Sequence, residues 1–346
     1  MYRKHFALTQ HPFSPEIAPD DLFPSATARE LDVRLMHLLD LRGVGLVTGD
    51  SGSGKTCACR RVLTRLHTGL YRVIYVSLST GNVMDLYKTI SWEMGLAVER
   101  SRAALYRQIK TEVSRLCTDA RIRPVLVVDE AHHLRADVLE DLRLLTNYQM
   151  DAENRLCLIL LGQTELRRRL TMAVHEALAQ RVVVRYHVLP LTRDELPAYL
   201  AHRMRLAGAE VPLFDPTAEE ALYQATSGLP RKINLLAHHT LMAAALAKAK
   251  IATADHLQAA LPEVASPVRL AVEEDRAPLA SDPSASTDSR RTGGRLTPAP
   301  ALVLAGAQAA NALAPCRAIT SGCSRSFIAH NPVESENRLS GGQERA

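Results

Sequence analysis

Short apolar runs alternate with amphipathic stretches in the first part of the chain. Five of these runs are apolar on both faces and rich in β-branched residues, at positions 44–48, 72–78, 124–128, 156–161 and 182–186. Such runs are typical of parallel strands that are buried on both faces. The stretches between them have helical spacing, for example at Val62, Leu63 and Leu66. This alternation predicts an α/β fold, a doubly wound parallel sheet with right-handed crossovers.

The pattern changes twice further along the chain. After Pro190 the strand-like runs stop, and helical spacing recurs at residues 194–206, 216–226, 231–247 and 254–261, which predicts a small all-helical domain. Beyond that domain the chain is rich in Ser, Pro, Ala and Gly and has no lasting periodicity, which predicts disorder. We therefore predict four regions, namely an N-terminal segment (1–40), an α/β domain (41–190), a helical domain (191–264) and a disordered tail (265–346).

The composition is that of an ordinary globular protein, with 47% hydrophobic and 23% charged residues. A formal net charge of +5 is too small to diagnose a nucleic-acid-binding protein, although it permits a basic face. The six cysteines lack the spacing of a metal site, so we expect a reduced, cytoplasmic setting. The longest apolar run, residues 299–315, is interrupted by polar residues and falls short of the ~18 residues that a spanning helix needs. We expect no membrane span.

One glycine-rich segment has the full pattern of a phosphate-binding loop. It follows the first predicted strand and opens a predicted helix, which is the context that this motif requires. Its glycines let backbone N–H groups surround phosphates, assisted by the positive end of the helix. We expect Lys55 to reach the β- and γ-phosphates of ATP and Thr56 to hold Mg²⁺. The predicted loop consists of Gly49, Asp50, Ser51, Gly52, Ser53, Gly54, Lys55 and Thr56.

Two adjacent acids, Asp129 and Glu130, end the third predicted strand at the edge of the sheet where ligands bind. Asp129 would organise Mg²⁺, and Glu130 would polarise the attacking water. An isolated acidic pair is more often a helix cap or a solvated turn, but downstream of a phosphate loop it indicates an ATPase. Residues 129–132 also spell the DEAH tetrad of superfamily 2 helicases. Such helicases need a second α/β motor domain, and the sequence predicts only helices and a tail after the first.

Six segments together resemble the AAA+ ATPases of the general secretion protein A (ExeA) type. This group is related to the TnsC, TniB and MuB transposition ATPases and more distantly to origin-recognition initiators. The resemblance extends from about Tyr2 to Val264. It implies a nucleotide-dependent homo-oligomer, a ring or a filament, with ATP at the subunit interfaces. The segments that carry it are residues 6–13, 49–56, 127–132, 142–147, 160–166 and 227–234.

The resemblance also implies roles for individual residues. Gln163, at the end of the fourth strand, is similar to the sensor-1 residue that helps orient the water, and Asn147 is a weaker candidate for that task. Arg181 occupies the place of an arginine finger that reaches a neighbour's γ-phosphate, and the alternative is an arginine that caps a helix C-terminus. Arg231 is similar to sensor 2, which contacts the phosphates from the second domain. The alternative for Arg231 is an ordinary residue of a helix N-terminus.

Three further features permit two interpretations each. Pro12 and Phe13 either wall the adenine pocket, as the N-terminal segment does in related proteins, or pack ordinarily. The basic run 167–169 either contacts DNA phosphates or is a solvated helix face. The neighbouring His132 and His133 suggest a metal at first sight, but nearby carboxylates or cysteines at ligand spacing are lacking. We expect no structural metal there.

The function predicted from these features is that of a cytoplasmic AAA+ ATPase that assembles on double-stranded DNA with ATP. Its expected partner is a transposase-type protein, which it would recruit or regulate. Secretion-linked members of the resembled group carry a membrane span and a cell-wall-binding domain after the ATPase, and we expect neither in this chain. A secretion-linked assembly ATPase that works with a separate membrane partner is the alternative. A DEAH helicase or repair motor is the third possibility.

Overall fold

The computed structural model describes residues 2–77 and 82–265. Its centre is a five-stranded parallel sheet with the strand order β2-β3-β4-β1-β5. The strands are β1 (Val44–Gly49), β2 (Tyr71–Ser77), β3 (Arg123–Asp129), β4 (Cys157–Gly162) and β5 (Val182–Val188). The predicted α/β class and its five strands are confirmed. The predicted tail from Ser266 onward lies outside the described residues.

Helices connect the strands and then continue alone. Ser25 begins α2 by accepting a hydrogen bond from the Ala28 N–H at 3.2 Å, and Asp215 begins α10 by accepting from the Ala218 N–H at 2.6 Å. No described helix is both long enough and apolar enough to span a membrane. The α-helices of the described residues are α1 (Tyr2–His5), α2 (Ala26–Leu41), α3 (Lys55–Thr64), α4 (Val83–Glu93), α5 (Arg102–Thr118), α6 (Ala136–Thr146), α7 (Thr164–Leu170), α8 (Glu176–Gln180), α9 (Glu195–Leu206), α10 (Pro216–Thr226), α11 (Pro230–Leu246) and α12 (Ala254–Ala265).

The central strands are buried between two helical layers. In β3, Leu126 and Val128 belong to a core shared with α4, α5 and α6, whereas Val125 and Val127 belong to a core shared with α2 and α3. Successive side chains of a strand point to opposite faces, so both sets must be apolar. This explains why the strands are continuous apolar runs rather than alternating ones. With both faces covered, the carboxyl edge of the sheet is the place for a ligand.

Helices α9–α12 form a lid with a hydrophobic core of its own. The start of the chain belongs to this core, because Tyr2 and Leu8 are buried in it. The Thr9 N–H also donates to the Ala207 carbonyl at 2.9 Å. Helix α2, in contrast, packs against the sheet. The N-terminal segment 1–40 is therefore shared between the two cores and connects them.

A glycine turn joins the lid to the sheet. The Leu191 N–H, just after β5, donates to the Gly228 carbonyl at 2.9 Å. Gly228 has φ +73°, and a Cβ at this position would lie 2.0 Å from the Leu191 carbonyl oxygen. Only glycine therefore fits this close approach of two backbones. The turn sets where α11 begins and brings Arg231, the second residue of that helix, to the phosphate-binding loop.

Candidate nucleotide-binding site

The phosphate-binding loop lies between β1 and α3. Gly54 has φ +93° and immediately precedes Lys55, the first residue of the ten-residue helix α3. The Lys55 side chain is buried, and its Nζ donates to the carbonyls of Gly49 at 3.1 Å and Asp50 at 2.8 Å. The ammonium thus lies over the loop at the positive end of a helix. This is an arrangement that binds phosphate groups.

The charge of Lys55 is balanced by its surroundings. Burial lowers the pKa of the Lys55 ammonium, whereas the nearby carboxylates of Glu130, Asp129 and Asp50 raise it and Arg231 lowers it further. A buried cation that is stabilised by several carboxylates is well suited to an anionic ligand, since phosphates bring additional negative charge to it.

Asp129 is the centre of a hydrogen-bond network at the end of β3. Its Oδ2 accepts hydrogen bonds from Thr56 Oγ1 and from the Tyr75 hydroxyl, both at 2.8 Å. Its Oδ1 accepts from the Glu130 N–H, also at 2.8 Å. The residue is only 5% exposed, so these bonds replace water. Tyr75 was not predicted from the sequence, although its position near the end of the adjacent strand β2 could have suggested it.

The Tyr75 hydroxyl is held in its neutral form. Burial raises the pKa of Tyr75, and the hydrogen bond to Asp129 raises it further. Thr56 and Asp129 present only oxygen atoms, which are the ligands that Mg²⁺ prefers. The donor set at this point therefore fits the predicted magnesium ion.

Glu130 has an unusual backbone conformation. Its φ of +50° and ψ of +34° lie in the left-handed region, which non-glycine residues seldom adopt outside functional sites and turns. The side chain is 48% exposed, and its Oε2 lies 3.3 Å from Nδ1 of the buried His132. This contact does not have the geometry of a hydrogen bond, so His132 Nδ1 has no hydrogen-bond partner. The Glu130 carboxylate lies beside the phosphate loop, where it raises the pKa of Lys55. Because it is half-exposed and has no hydrogen bond to His132, it remains open to a ligand.

The sheet order brings Gln163 to the same edge. Strand β4 lies between β3 and β1, so Gln163, Glu130 and the phosphate loop follow three adjacent strands. Asn147, the weaker candidate for the same task, lies elsewhere. It follows α6, and its side-chain amide oxygen accepts a hydrogen bond from the Asp151 N–H at 3.2 Å. The described contacts do not bring Asn147 to the phosphate loop.

Arg231 contacts the phosphate loop from the lid. Its N–H donates to the Gly52 carbonyl at 3.3 Å, and its Nη1 lies 3.5 Å from Ser51 Oγ. Gly52 has φ +81°, and a Cβ there would lie 2.6 Å from the Arg231 Cβ. The second glycine of the loop is therefore needed for contact with the lid as well as for the turn.

A cleft beside the loop has the composition of a base-binding pocket. It lies between the N-terminal segment, α3 and the lid, and it is partly open to solvent. Phe23 and Tyr199 supply aromatic walls, Cys57 lies on the α3 side, and Asn234 supplies a polar group. A mostly apolar cleft with a few polar groups is typical of small-molecule sites.

The N-terminal segment lines this cleft with residues other than Pro12 and Phe13. Ile17, Leu22 and Phe23 line it, whereas Pro12 and Phe13 do not. Phe13 packs in the lid core, with its ring centroid 6.5 Å from that of Phe214. The second interpretation of Pro12 and Phe13, ordinary packing, is therefore the one that the structure favours.

Arg181 lies far from the phosphate loop of its own chain. It immediately precedes β5, whose other end pairs with Gly49, and seven strand residues span roughly 20 Å. Its Nη1 donates to Thr146 Oγ1 at 3.0 Å, and its Nη2 forms an ion pair with Asp151. The cationic side chains of Lys55 and Arg181 therefore lie at opposite edges of the sheet.

The basic run 167–169 on α7 contains one structural arginine. Arg169 donates to the carbonyls of His132 at 2.6 Å and Leu134 at 2.5 Å, so it anchors the loop after Glu130. Arg167 and Arg168 are exposed. Only these two remain available to an external phosphate.

Known proteins share this architecture. The profile of an AAA domain family matches residues 38–170. General secretion pathway protein A of Aeromonas hydrophila is 36% identical over 247 residues, which are 70% of this chain and 45% of that protein. ATP-dependent target DNA activator B of Escherichia phage Mu is 24% identical over 169 residues, 49% of this chain and 48% of that protein. The chain therefore spans about half the length of the curated relatives it matches.

A solved structure supports the fold. The Orc1 protein of Aeropyrum pernix, in complex with DNA, has a TM-score of 0.56 and 22% identity, covering 73% of this chain and 68% of that one. The profile match covers β1 to β4 and ends before β5, and the similarity to the secretion protein is longer than the profile match. Residues 38–170 therefore belong to the AAA domain family, and the chain has the P-loop AAA+ fold.

Proposed function

We propose that this chain binds ATP with Mg²⁺ and hydrolyses it at the interfaces of a homo-oligomer, a ring or a filament. The observation that carries the proposal is the hydrogen-bonded group of Thr56, Asp129 and Tyr75 beside the buried Lys55. Phosphoryl transfer is catalysed mainly by positioning and by charge stabilisation. The backbone of residues 49–54 and the Lys55 ammonium supply both for the phosphates. Mg²⁺, held by Thr56 and Asp129, would neutralise charge on the phosphate oxygens when bound.

The remaining residues act on the reacting groups. Glu130 is the general base that polarises the attacking water, and Gln163 orients that water. Arg231 contacts the phosphates from the lid, which is supported by its contacts with Gly52 and Ser51. ATP binding would thereby hold the lid and the sheet together.

The catalytic assignment is tested by Glu130→Gln. Because the amide keeps the shape of the side chain but removes its basicity, the variant should bind ATP normally and hydrolyse it about 100-fold or more slowly. Steady-state phosphate release and nucleotide binding measure the two properties separately. Glu165→Gln, which changes an exposed carboxylate on α7, is the matched control. Hydrolysis by Glu130→Gln at the parental rate would show that the assignment is wrong.

The intersubunit position of ATP is supported by the place of Arg181. An arginine roughly 20 Å from the phosphate loop of its own chain can contact a γ-phosphate only in another subunit. A guanidinium there would stabilise the charge that develops on the transferred group. Arg181 is therefore proposed as the residue that completes a neighbour's site.

We further propose that the oligomer assembles on double-stranded DNA and regulates a transposase-type partner. The support is the similarity to the phage Mu target DNA activator and the fold shared with a DNA-bound Orc1. Glu130→Gln with ATP should be retained on duplex DNA as rings or filaments, and Lys55→Ala should not. Retention should decrease as the salt concentration rises, because phosphate contacts release counterions. No retention by Glu130→Gln at low salt would contradict the DNA-binding proposal.

The second candidate is an assembly ATPase of a secretion pathway. It is favoured by the 36% identity to general secretion pathway protein A. Capture of a membrane-associated partner by Glu130→Gln with ATP, without retention on DNA, would favour this candidate over the first. A DEAH helicase is less well supported, because the described residues contain one five-stranded sheet instead of two motor domains.

We propose that the chain is organised as predicted from the sequence, with an N-terminal segment (1–40), an ATPase domain (41–190), a lid (191–264) and a tail (265–346). We also propose that the protein is cytoplasmic. Limited proteolysis with and without ATP tests the internal boundaries, since bound nucleotide should protect the connections that join the sheet to the lid.

A further inference from the structure

The loop that follows Glu130 contains a buried polar side chain that the proposed function does not use. A short 3-10 turn, Ala131–His133, follows the left-handed Glu130. Within it the His132 side chain is 5% exposed, and Nδ1 faces the Glu130 carboxylate at 3.3 Å. This nitrogen has no hydrogen-bond partner. A buried polar atom without a partner is uncommon in a native structure and indicates a specific role.

Several contacts fix the position of the His132 imidazole. Arg169 holds the loop through its hydrogen bonds to the His132 and Leu134 carbonyls. The His133 ring packs against it with a centroid distance of 3.9 Å. The loop backbone also lies close to the end of β4, since a Cβ on Gly162 would lie 3.3 Å from the His132 backbone nitrogen. The anchored loop backbone and the neighbouring His133 ring therefore restrict the His132 imidazole to a place beside Glu130.

The charge around His132 determines its protonation. Burial lowers the pKa of His132, and His133 lowers it further, while Glu130 and Glu165 raise it and Lys55 lowers it. The ring is therefore neutral at pH 7 and carries one N–H. Nδ1 lies 3.3 Å from a carboxylate oxygen of Glu130, so the tautomer with the proton on Nδ1 is favoured. Rotation of the half-exposed Glu130 side chain would bring its carboxylate into line with this N–H and form a hydrogen bond.

We propose that His132 is a positioning residue that directs the Glu130 carboxylate toward the attacking water. This inference rests on the proposed function of Glu130 as the general base. A half-exposed glutamate has several rotamers, and fixing one of them has an entropic cost. A fixed N–H donor on one carboxylate oxygen selects the rotamers in which the other oxygen is free to accept a proton. His132 thus acts through Glu130 and does not itself contact ATP.

Two substitutions separate this role from packing. His132→Asn keeps a side-chain N–H close to the position of Nδ1, whereas His132→Leu has a similar volume and no donor. In His132→Leu, kcat for ATP hydrolysis should fall about 10-fold to 100-fold, because a misplaced catalytic group loses rate on this scale. KM and the Kd for ATP should stay within about twofold. His132→Asn should recover most of the lost kcat.

The same substitutions in the Glu130→Gln background test whether His132 acts through Glu130. Single-turnover hydrolysis should be equally slow in Glu130→Gln and in Glu130→Gln with His132→Leu, since there is no carboxylate left to position. A further loss of the same factor in the double variant would overturn the proposal. A loss of ATP affinity as large as the loss of kcat would also overturn the proposal, because a purely structural role of His132 predicts such a loss.

The experiment still tests the positioning role of His132 if one variant does not fold, and it separates that role from the assignment of Glu130 as the general base. If thermal unfolding shows that His132→Leu is not folded, His132→Ala takes its place in the same cycle. Parental hydrolysis by Glu130→Gln alone would refute the proposed role of Glu130, and that result does not depend on any His132 variant. Slow hydrolysis by Glu130→Gln together with an unchanged kcat in His132→Leu would refute only the positioning role.

Discussion

The two edges of the sheet present their charged groups in different ways. At the carboxyl edge, Lys55, Thr56 and Asp129 are bonded to one another or to the loop backbone, in positions that phosphates and a metal ion can use directly. At the amino edge, Arg181 is paired with Asp151 of its own chain. An intramolecular acid competes with any phosphate for the guanidinium. Under the proposed function the carboxyl edge is therefore ready for ATP, whereas the amino edge would have to exchange partners before it could complete a neighbour's site.

The backbone conformation also differs between the two edges of the sheet. At the carboxyl edge the left-handed positions of the phosphate loop are glycines, for which this conformation costs little, and among the described residues of the site Glu130 after β3 is the one non-glycine residue with positive φ. At the amino edge three consecutive non-glycine residues, Gln149, Met150 and Asp151, have positive φ. The Met150 side chain is 97% exposed. A segment with a strained backbone and an exposed apolar side chain can change conformation, and under the proposed function another subunit would pack against it.

The largest effect is expected at the carboxyl edge, from Lys55→Ala. Removing the ammonium leaves the phosphates without their main cation and leaves the nearby carboxylates uncompensated, so ATP binding should be abolished. Fluorescence titration with an ATP analogue measures the binding. Lys88→Ala, an exposed lysine on α4, is the control and should bind as the parent does. Retention of ATP by Lys55→Ala would remove the basis of the comparison between the edges.

Arg181→Ala tests the amino edge. Losing a finger arginine should reduce hydrolysis at least about 100-fold while the Kd for ATP changes little, because the arginine acts on developing charge. Mixing Arg181→Ala with Glu130→Gln should restore part of the activity, since one mixed interface combines an intact Glu130 with an intact Arg181. Arg185→Ala, on the adjacent strand β5, is the matched control. Loss of activity in Arg185→Ala but not in Arg181→Ala would transfer the role to Arg185.

Gly228→Ala probes how the lid is attached to the carboxyl edge. Alanine costs about 1 kcal/mol at a left-handed position, and here its Cβ would also meet the Leu191 carbonyl at 2.0 Å. Gly95→Ala is the matched control, because Gly95 has φ +74° and open space around its Cβ position. Gly228→Ala should lower the thermal midpoint clearly more than Gly95→Ala and weaken ATP binding. Equal decreases would show that the close approach to Leu191 contributes little.

The sequence predicts local features better than long-range ones. The phosphate loop and the acidic end of β3 were predictable because their function depends on residue types at fixed short spacing, and the five strands because burial on both faces requires apolar runs. Tyr75 was missed because its contact with Asp129 joins two strands whose pairing the sequence does not specify. The position of Phe13 stayed open between the adenine pocket and ordinary packing, because a short motif does not reveal which core will bury an aromatic ring. The pairing of Arg181 with Asp151 depends on the path of a loop that no motif describes.

The smallest predicted effect concerns the ion pair of Arg181 with Asp151. Asp151→Asn should free Arg181 for a neighbouring subunit and lower the protein concentration at which ATPase activity is half-maximal by about 2-fold to 5-fold, the range expected from a partly exposed ion pair of up to about 1 kcal/mol. Glu153→Gln removes another ion pair of the same segment, with Arg155, and should leave this concentration unchanged. A rise of the half-maximal concentration in Asp151→Asn would mean that Asp151 holds Arg181 in its active position. The amino edge would then be as fully prepared as the carboxyl edge, and the difference between the two would disappear.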